Sequence, residues 1–88
     1  PDEFILRQNY PNPFNPLTHI SYSLKTAGEV HLDLYDIRGN WVRSLVSEMK
    51  PAGGHEYVLD ASDMSSGLYF YTMSINGSSK TRKLVLMK

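Results

Sequence analysis

Residues 18–35 read Thr18-His19-Ile20-Ser21-Tyr22-Ser23-Leu24, then Lys25-Thr26-Ala27-Gly28, then Glu29-Val30-His31-Leu32-Asp33-Leu34-Tyr35. Apolar and polar side chains alternate through both halves. Successive side chains of a strand point to opposite faces, so a period of two marks strands with one buried face. Ile20, Tyr22 and Leu24 form one apolar set; Val30, Leu32 and Leu34 form the other. The short connection predicts an antiparallel hairpin around Lys25-Thr26-Ala27-Gly28-Glu29. In it Leu24 lies opposite Val30, Tyr22 opposite Leu32 and Ile20 opposite Leu34. All six then share one face, and a slip of one residue would turn one set to solvent.

Working outward, Asp36-Ile37-Arg38-Gly39-Asn40 reads as a turn, with Gly39 where a positive φ is needed. Trp41–Val46 reads as a strand. A helix over Val42–Met49 is disfavoured by Trp41-Val42 and by the following Pro51, Gly53 and Gly54. His55–Leu59 is a strand with Tyr57 and Leu59 on one side and Glu56 and Val58 on the other. Asp60–Ser66 is turn-rich, Gly67 opens a long strand Leu68–Ile75, Asn76-Gly77 signals a hairpin, and Lys80–Met87 returns. Phe4–Gln8 adds a short first strand. About seven strands at this spacing predict an all-β, immunoglobulin-like antiparallel β-sandwich.

Upstream lies Asn9-Tyr10-Pro11-Asn12-Pro13-Phe14-Asn15-Pro16. Each proline removes a backbone donor and biases its predecessor to extended geometry, so this is no central strand. It reads as a rigid lead-in, structured by Pro11 and Pro13, whose Tyr10 and Phe14 plug the end of the sandwich. A proline-rich peptide ligand would want a basic residue beside the prolines, and none is there. One domain over residues 1–88 follows, with the lead-in over 1–17 and the sandwich over 18–88.

The 88 residues carry 41% hydrophobic and 20% charged side chains, ordinary for a small globular domain. Nine basic and nine acidic residues cancel, which argues against a nucleic-acid partner. No apolar run is long enough to span a membrane as a helix. No signal peptide is recognisable, and a start at Pro1 reads as a piece of a longer or processed protein. Without cysteine there are no disulfides or thiolate metal sites. Charge is segregated. Lys80, Arg82, Lys83 and Lys88 crowd the last nine positions without an acid, leaving residues 1–79 at a net charge of −4, from five basic and nine acidic side chains.

Candidates for catalysis are few, and the chain reads as no enzyme. In the expected hairpin His19 and His31 lie about 13 Å apart, too far to share a metal. His55 stands alone, and no serine sits in a nucleophile elbow. Asp60 and Asp63 are three residues apart, but a calcium loop needs further ligands. Gly53-Gly54 is no phosphate loop, so no cofactor is expected. Asn76-Gly77-Ser78 matches a glycosylation sequon that a tight turn explains equally well. Trp41, Tyr35, Tyr57, Tyr69 and Tyr71 would suffice for a carbohydrate platform, yet Tyr69 and Tyr71 alternate as core residues do.

A three-residue loop Asn76-Gly77-Ser78 would pair Ile75 with Ser79, Phe70 with Leu84 and Tyr69 with Val85. One face of that hairpin then carries Tyr69, Tyr71, Met73, Ile75 and Val85. The other carries Leu68, Phe70, Leu84 and Leu86 beside Lys80 and Arg82, and it is covered by the lead-in or exposed to a partner.

Three stretches together resemble the type A C-terminal sorting domains of the type IX secretion system. They are the Pro-rich opening with Thr18 and Ile20–Leu24; Leu34-Tyr35-Asp36-Ile37-Arg38-Gly39 with Val42 and Leu45-Val46; and Gly67-Leu68-Tyr69-Phe70-Tyr71 with Thr81–Lys88. The likeness covers about residues 4 to 88. Ala52-Gly53-Gly54-His55 and Gly67–Tyr71 also resemble the immunoglobulin-like domain of hook-capping proteins. Leu59 stands where both families often carry Trp before Asp60.

The resemblance implies a non-catalytic domain of a secreted Bacteroidota protein that directs an N-terminal cargo through the outer membrane. Cargo would pass through the periplasm to the cell surface or the medium. The implied partners are the translocon and a sortase-like protease. Lys80, Arg82, Lys83, Leu84, Leu86, Lys88, Leu68 and Phe70 are the candidates for partner recognition. Tyr10, Pro11, Pro13, Phe14, Gly39, Gly67 and Tyr69 are the candidate structural positions. The alternative is an accessory structural or carbohydrate-binding module of a secreted hydrolase.

Overall fold

In the computed structural model, which describes residues 4–88, the two alternating stretches lie in different sheets. The strands are β1 (Phe4–Leu6), β2 (Leu17–Leu24), β3 (Gly28–Tyr35), β4 (Trp41–Lys50), β5 (Gly53–Asp60), β6 (Gly67–Ile75) and β7 (Ser78–Leu86). One sheet has the order β1-β2-β5 and the other β4-β3-β6-β7. All neighbouring strands pair antiparallel. The architecture is an all-β sandwich, and no helix forms among the described residues.

The expected hairpin between β2 and β3 is therefore corrected. β2 pairs with β1 and β5, whereas β3 pairs with β4 and β6. Residues 25–27 carry the chain from one sheet to the other. Ile20, Tyr22, Leu24, Val30, Leu32 and Leu34 are all buried as the alternation requires, but on two facing inner surfaces. Either arrangement hides the same side chains, each contributing about 1.5–3 kcal/mol. Gly28 marks the crossover, because a Cβ there would come within 2.7 Å of Ile75 Cδ1.

Local signals hold closely elsewhere. Phe4 and Leu6 enter the core, and Leu59 is buried while Val58 is exposed. Asp36 Oδ1 accepts the backbone N–H groups of Arg38 and Asn40, both at 2.9 Å, and Gly39 takes φ +84° in that turn. β4 runs beyond the expected Val46 to Lys50. Its register with β3 slips twice, leaving Leu45 and Val42 without opposite partners. Both pack against the core, so the bulges turn extra apolar side chains inward.

The last hairpin is also corrected. Its turn has two residues, Asn76 (φ 51°) and Gly77 (φ 83°), flanked by the Ile75–Ser78 pair. Two consecutive left-handed residues make the tight turn whose twist matches that of the strands. Tyr69 therefore faces Leu84, Phe70 faces Lys83 and Leu68 faces Val85. The one-residue change moves Leu84 and Leu86 into the core and turns Val85 outward with Leu68 and Phe70.

Candidate functional site

The site begins with the lead-in, because the lead-in decides which part of β7 remains open. Gln8 Nε2 donates to the Lys83 carbonyl at 2.6 Å, and Asn12 Oδ1 accepts Val85 N–H at 2.9 Å. Phe14 N–H donates to the Val85 carbonyl, and Met87 N–H donates to the Phe14 carbonyl, each at 3.0 Å. These contacts cap the free edge of β7 from Lys83 to Met87. A buried polar cluster anchors the lead-in. The Tyr71 hydroxyl accepts Asn9 N–H and donates to the Arg7 carbonyl, both at 2.8 Å. Asn9 Nδ2 donates to Thr18 Oγ1 and to the Pro11 carbonyl, and Thr18 Oγ1 donates to the same carbonyl. Among the described residues Asn9 and Thr18 are the two buried polar ones, and this exchange offsets their desolvation. Burial raises the Tyr71 phenol pKa above its ordinary value.

Only half of the expected plug exists. Phe14 is 3% exposed and belongs to the core, whereas Tyr10 is 79% exposed. Tyr10 contributes its backbone, bridging His19 with an N–H to carbonyl bond in each direction. Pro11 and Pro13 flank Asn12, and Tyr69 packs against the core while donating to the Ser65 carbonyl at 2.7 Å. Gly67 opens β6.

The candidate recognition residues separate into three groups. Leu84 and Leu86 are core. Lys80 and Arg82 point to the inner side of β7, where Lys80 Nζ donates to the Phe4 carbonyl and Arg82 Nε to the Leu6 carbonyl, both at 2.9 Å. Lys80 also lies 5.1 Å over the Phe4 ring centroid. These cations cap the free carbonyls of β1 and close one side of the sandwich. Leu68, Phe70 and Lys83 remain on the outer face. Lys88 Nζ reaches the Ser62 carbonyl at 2.7 Å.

Register adds two residues that sequence reasoning placed elsewhere. Trp41 pairs with Tyr35, Tyr35 with Phe70, and Phe70 with Lys83. A row of three aromatics ending in a cation therefore crosses all four strands. Trp41 is 60% exposed, and its Nε1 donates to Asp33 Oδ1 at 3.2 Å. The five-aromatic platform does not assemble, since Tyr71 is buried and Tyr57 and Tyr69 pack against the core. The row was present in the sequence only as scattered aromatics, and no local signal sets β3 beside β6.

The polar candidates are held apart. His19 Nδ1 lies 3.2 Å from Glu56, His31 lies 3.4 Å from Ser47 Oγ, and His55 Nε2 is 2.8 Å from the Pro51 carbonyl. His19 and His31 sit on different sheets rather than on one hairpin. Asp60 accepts from Ser62, whereas Asp63 receives the Arg43 guanidinium at 2.8 Å. Hydrogen bonding from Ser62 lowers the Asp60 pKa and that from Arg43 lowers the Asp63 pKa. The Asn40 backbone N–H does the same for Asp36. Among the described residues no group of three or more His, Asp or Glu side chains is placed to hold a metal. No helix there is long and apolar enough to cross a membrane.

Residues 8–87 match the family model described as the secretion system C-terminal sorting domain. No curated protein matches the chain.

Proposed function

Since the chain belongs to the secretion system C-terminal sorting domain family, we propose that it acts as a non-catalytic handle which the export machinery recognises from outside. The domain is a sorting signal for type IX secretion, and it implies an attached N-terminal cargo and export toward the cell surface or the medium. Cargo passes through the periplasm and crosses the outer membrane by the translocon, and a sortase-like protease acts on the arriving domain. The recognised surface is the outer face of the four-stranded sheet, where Leu68, Phe70 and Lys83 stand beside Tyr35 and Trp41. Lys80, Arg82, Leu84 and Leu86 support it from within, and Lys88 stands at its lower end. The whole chain forms the sorting unit, with 1–17 as a lead-in that lends β1 to the sandwich of 18–88.

The family match over 8–87 carries this reading. Fusing residues 1–88 behind a periplasmic reporter in a type IX-competent host tests it. The fusion should reach the surface or medium, while the reporter alone stays in the periplasm. A folded fusion retained in the periplasm would refute the assignment.

A further inference from the structure

We propose that the stretch of the β7 edge which the lead-in leaves open, from Ser79 to the Lys83 N–H, is a strand-addition site for an extended acidic segment of a partner protein. This rests on the sorting reading and names the chemistry of the partner it requires.

The backbone places the site. With a two-residue turn, residues 78, 80, 82, 84 and 86 lie opposite 75, 73, 71, 69 and 67 and turn their amides and carbonyls to β6. The odd-numbered residues turn their amides and carbonyls outward, as the capped groups of Lys83, Val85 and Met87 demonstrate. The lead-in stops at Lys83. Ser79 and Thr81 therefore present two donors and two acceptors at strand spacing, with the Lys83 N–H next in line. An open edge of this kind is a template for another strand.

The β4 and β1 edges differ. β4 is bulged at Leu45 and Val42, which breaks a regular ladder. The carbonyls of Phe4 and Leu6 on β1 are taken by Lys80 and Arg82.

Charge selects the occupant. Beside Thr81 runs an open groove of about 360 Å³ lined by Gln8, Phe70, Thr81, Arg82 and Lys83. It holds two cations and no carboxylate, and Phe70 supplies an apolar floor. A strand laid along Ser79–Lys83 would place alternate side chains over Phe70 and beside Lys83. Acidic residues there gain charge-assisted contacts, and basic ones are repelled.

Thr81 allows a selective test in the reporter fusion. Thr81 takes no part in the β6 ladder, so Thr81→Pro removes an outward donor and leaves the hairpin bonds intact. Thr81→Val is the control, because it loses the same hydroxyl contact to Thr72 at 2.8 Å but keeps the amide. Export of Thr81→Pro should fall by roughly tenfold or more while Thr81→Val is exported normally, and Lys83→Glu should fall similarly. Thermal melting establishes that each variant folds. A folded Thr81→Pro exported at the normal rate overturns the proposal, as does equal loss in Thr81→Val, which would implicate the side chain. If Thr81→Pro does not fold, Lys83→Glu decides, and normal export of that folded variant overturns an acidic occupant. Failure of the unaltered fusion would instead strike the sorting reading itself.

Discussion

Phe14 pairs with Leu86 in a parallel bridge, so the lead-in adds one residue of strand to the edge of β7. Phe14 N–H and its carbonyl bond to Val85 and Met87 while its ring lies in the core. Backbone and side chain thus fasten the two ends of the domain at one point. The Pro-rich lead-in is thus part of the fold.

Phe14→Ala should therefore cost about 3–5 kcal/mol, as for a buried aromatic. A domain of this size has little reserve, so the variant should melt early or fail to fold. Tyr10→Ala should stay within about 0.5 kcal/mol, because only its backbone is engaged. Thermal denaturation of both variants checks the contrast, and equal losses would contradict it.

Tyr71→Phe removes the acceptor of the buried Asn9 N–H and the donor to the Arg7 carbonyl. Leaving such groups unpaired should cost about 1–3 kcal/mol. The Asn9 amide should also exchange faster with solvent. An unchanged exchange rate and melting point would mean that the hydroxyl is not an anchor.

Deleting residues 83–88 removes Leu84 and Leu86 from the core, each worth about 2–5 kcal/mol as an alanine truncation. The deletion should abolish cooperative unfolding, so lost export would report lost fold. Lys83→Glu combined with Lys88→Glu changes the surface instead and should shift stability by less than about 1 kcal/mol. Slower export by this folded double variant is the expected result, and an unchanged rate would remove charge from the recognition account.

Asp36, Asp60 and Asp63 all have pKa values lowered by local hydrogen bonds. A carboxyl depressed in the folded state contributes stability above its unfolded pKa and loses it as pH falls through the folded one. The melting temperature should hold from neutral pH down to the ordinary aspartate range and decline below it. The amide resonances of Arg38, Asn40 and Ser62 should move in the same window. Stability that rose on acidification would mean that these carboxyls are not depressed in the folded state.

Period-two alternation determined which side chains are buried in β2, β3 and β5, because the pleat ties position to face whatever the neighbours are. Asp36–Asn40 and Asn76-Gly77 announced their turns, since left-handed backbone is confined to few residue types. The Pro-rich opening and the closing strands carried the family likeness. Tertiary structure alone decided the partners. Whether β2 folds onto β3 or crosses to the other sheet leaves the same six residues buried, so pattern cannot choose between them. The last hairpin turned on whether Ser78 belongs to the loop, and that one residue moved Leu84 and Leu86 from an outer face to the core. The row Trp41–Tyr35–Phe70–Lys83 draws on two hairpins, β3–β4 and β6–β7, that the β3–β6 pairing sets side by side. It exists only once sheet order and register are set, because lateral neighbours in a sheet are chosen by long-range pairing and leave no periodic mark on the chain.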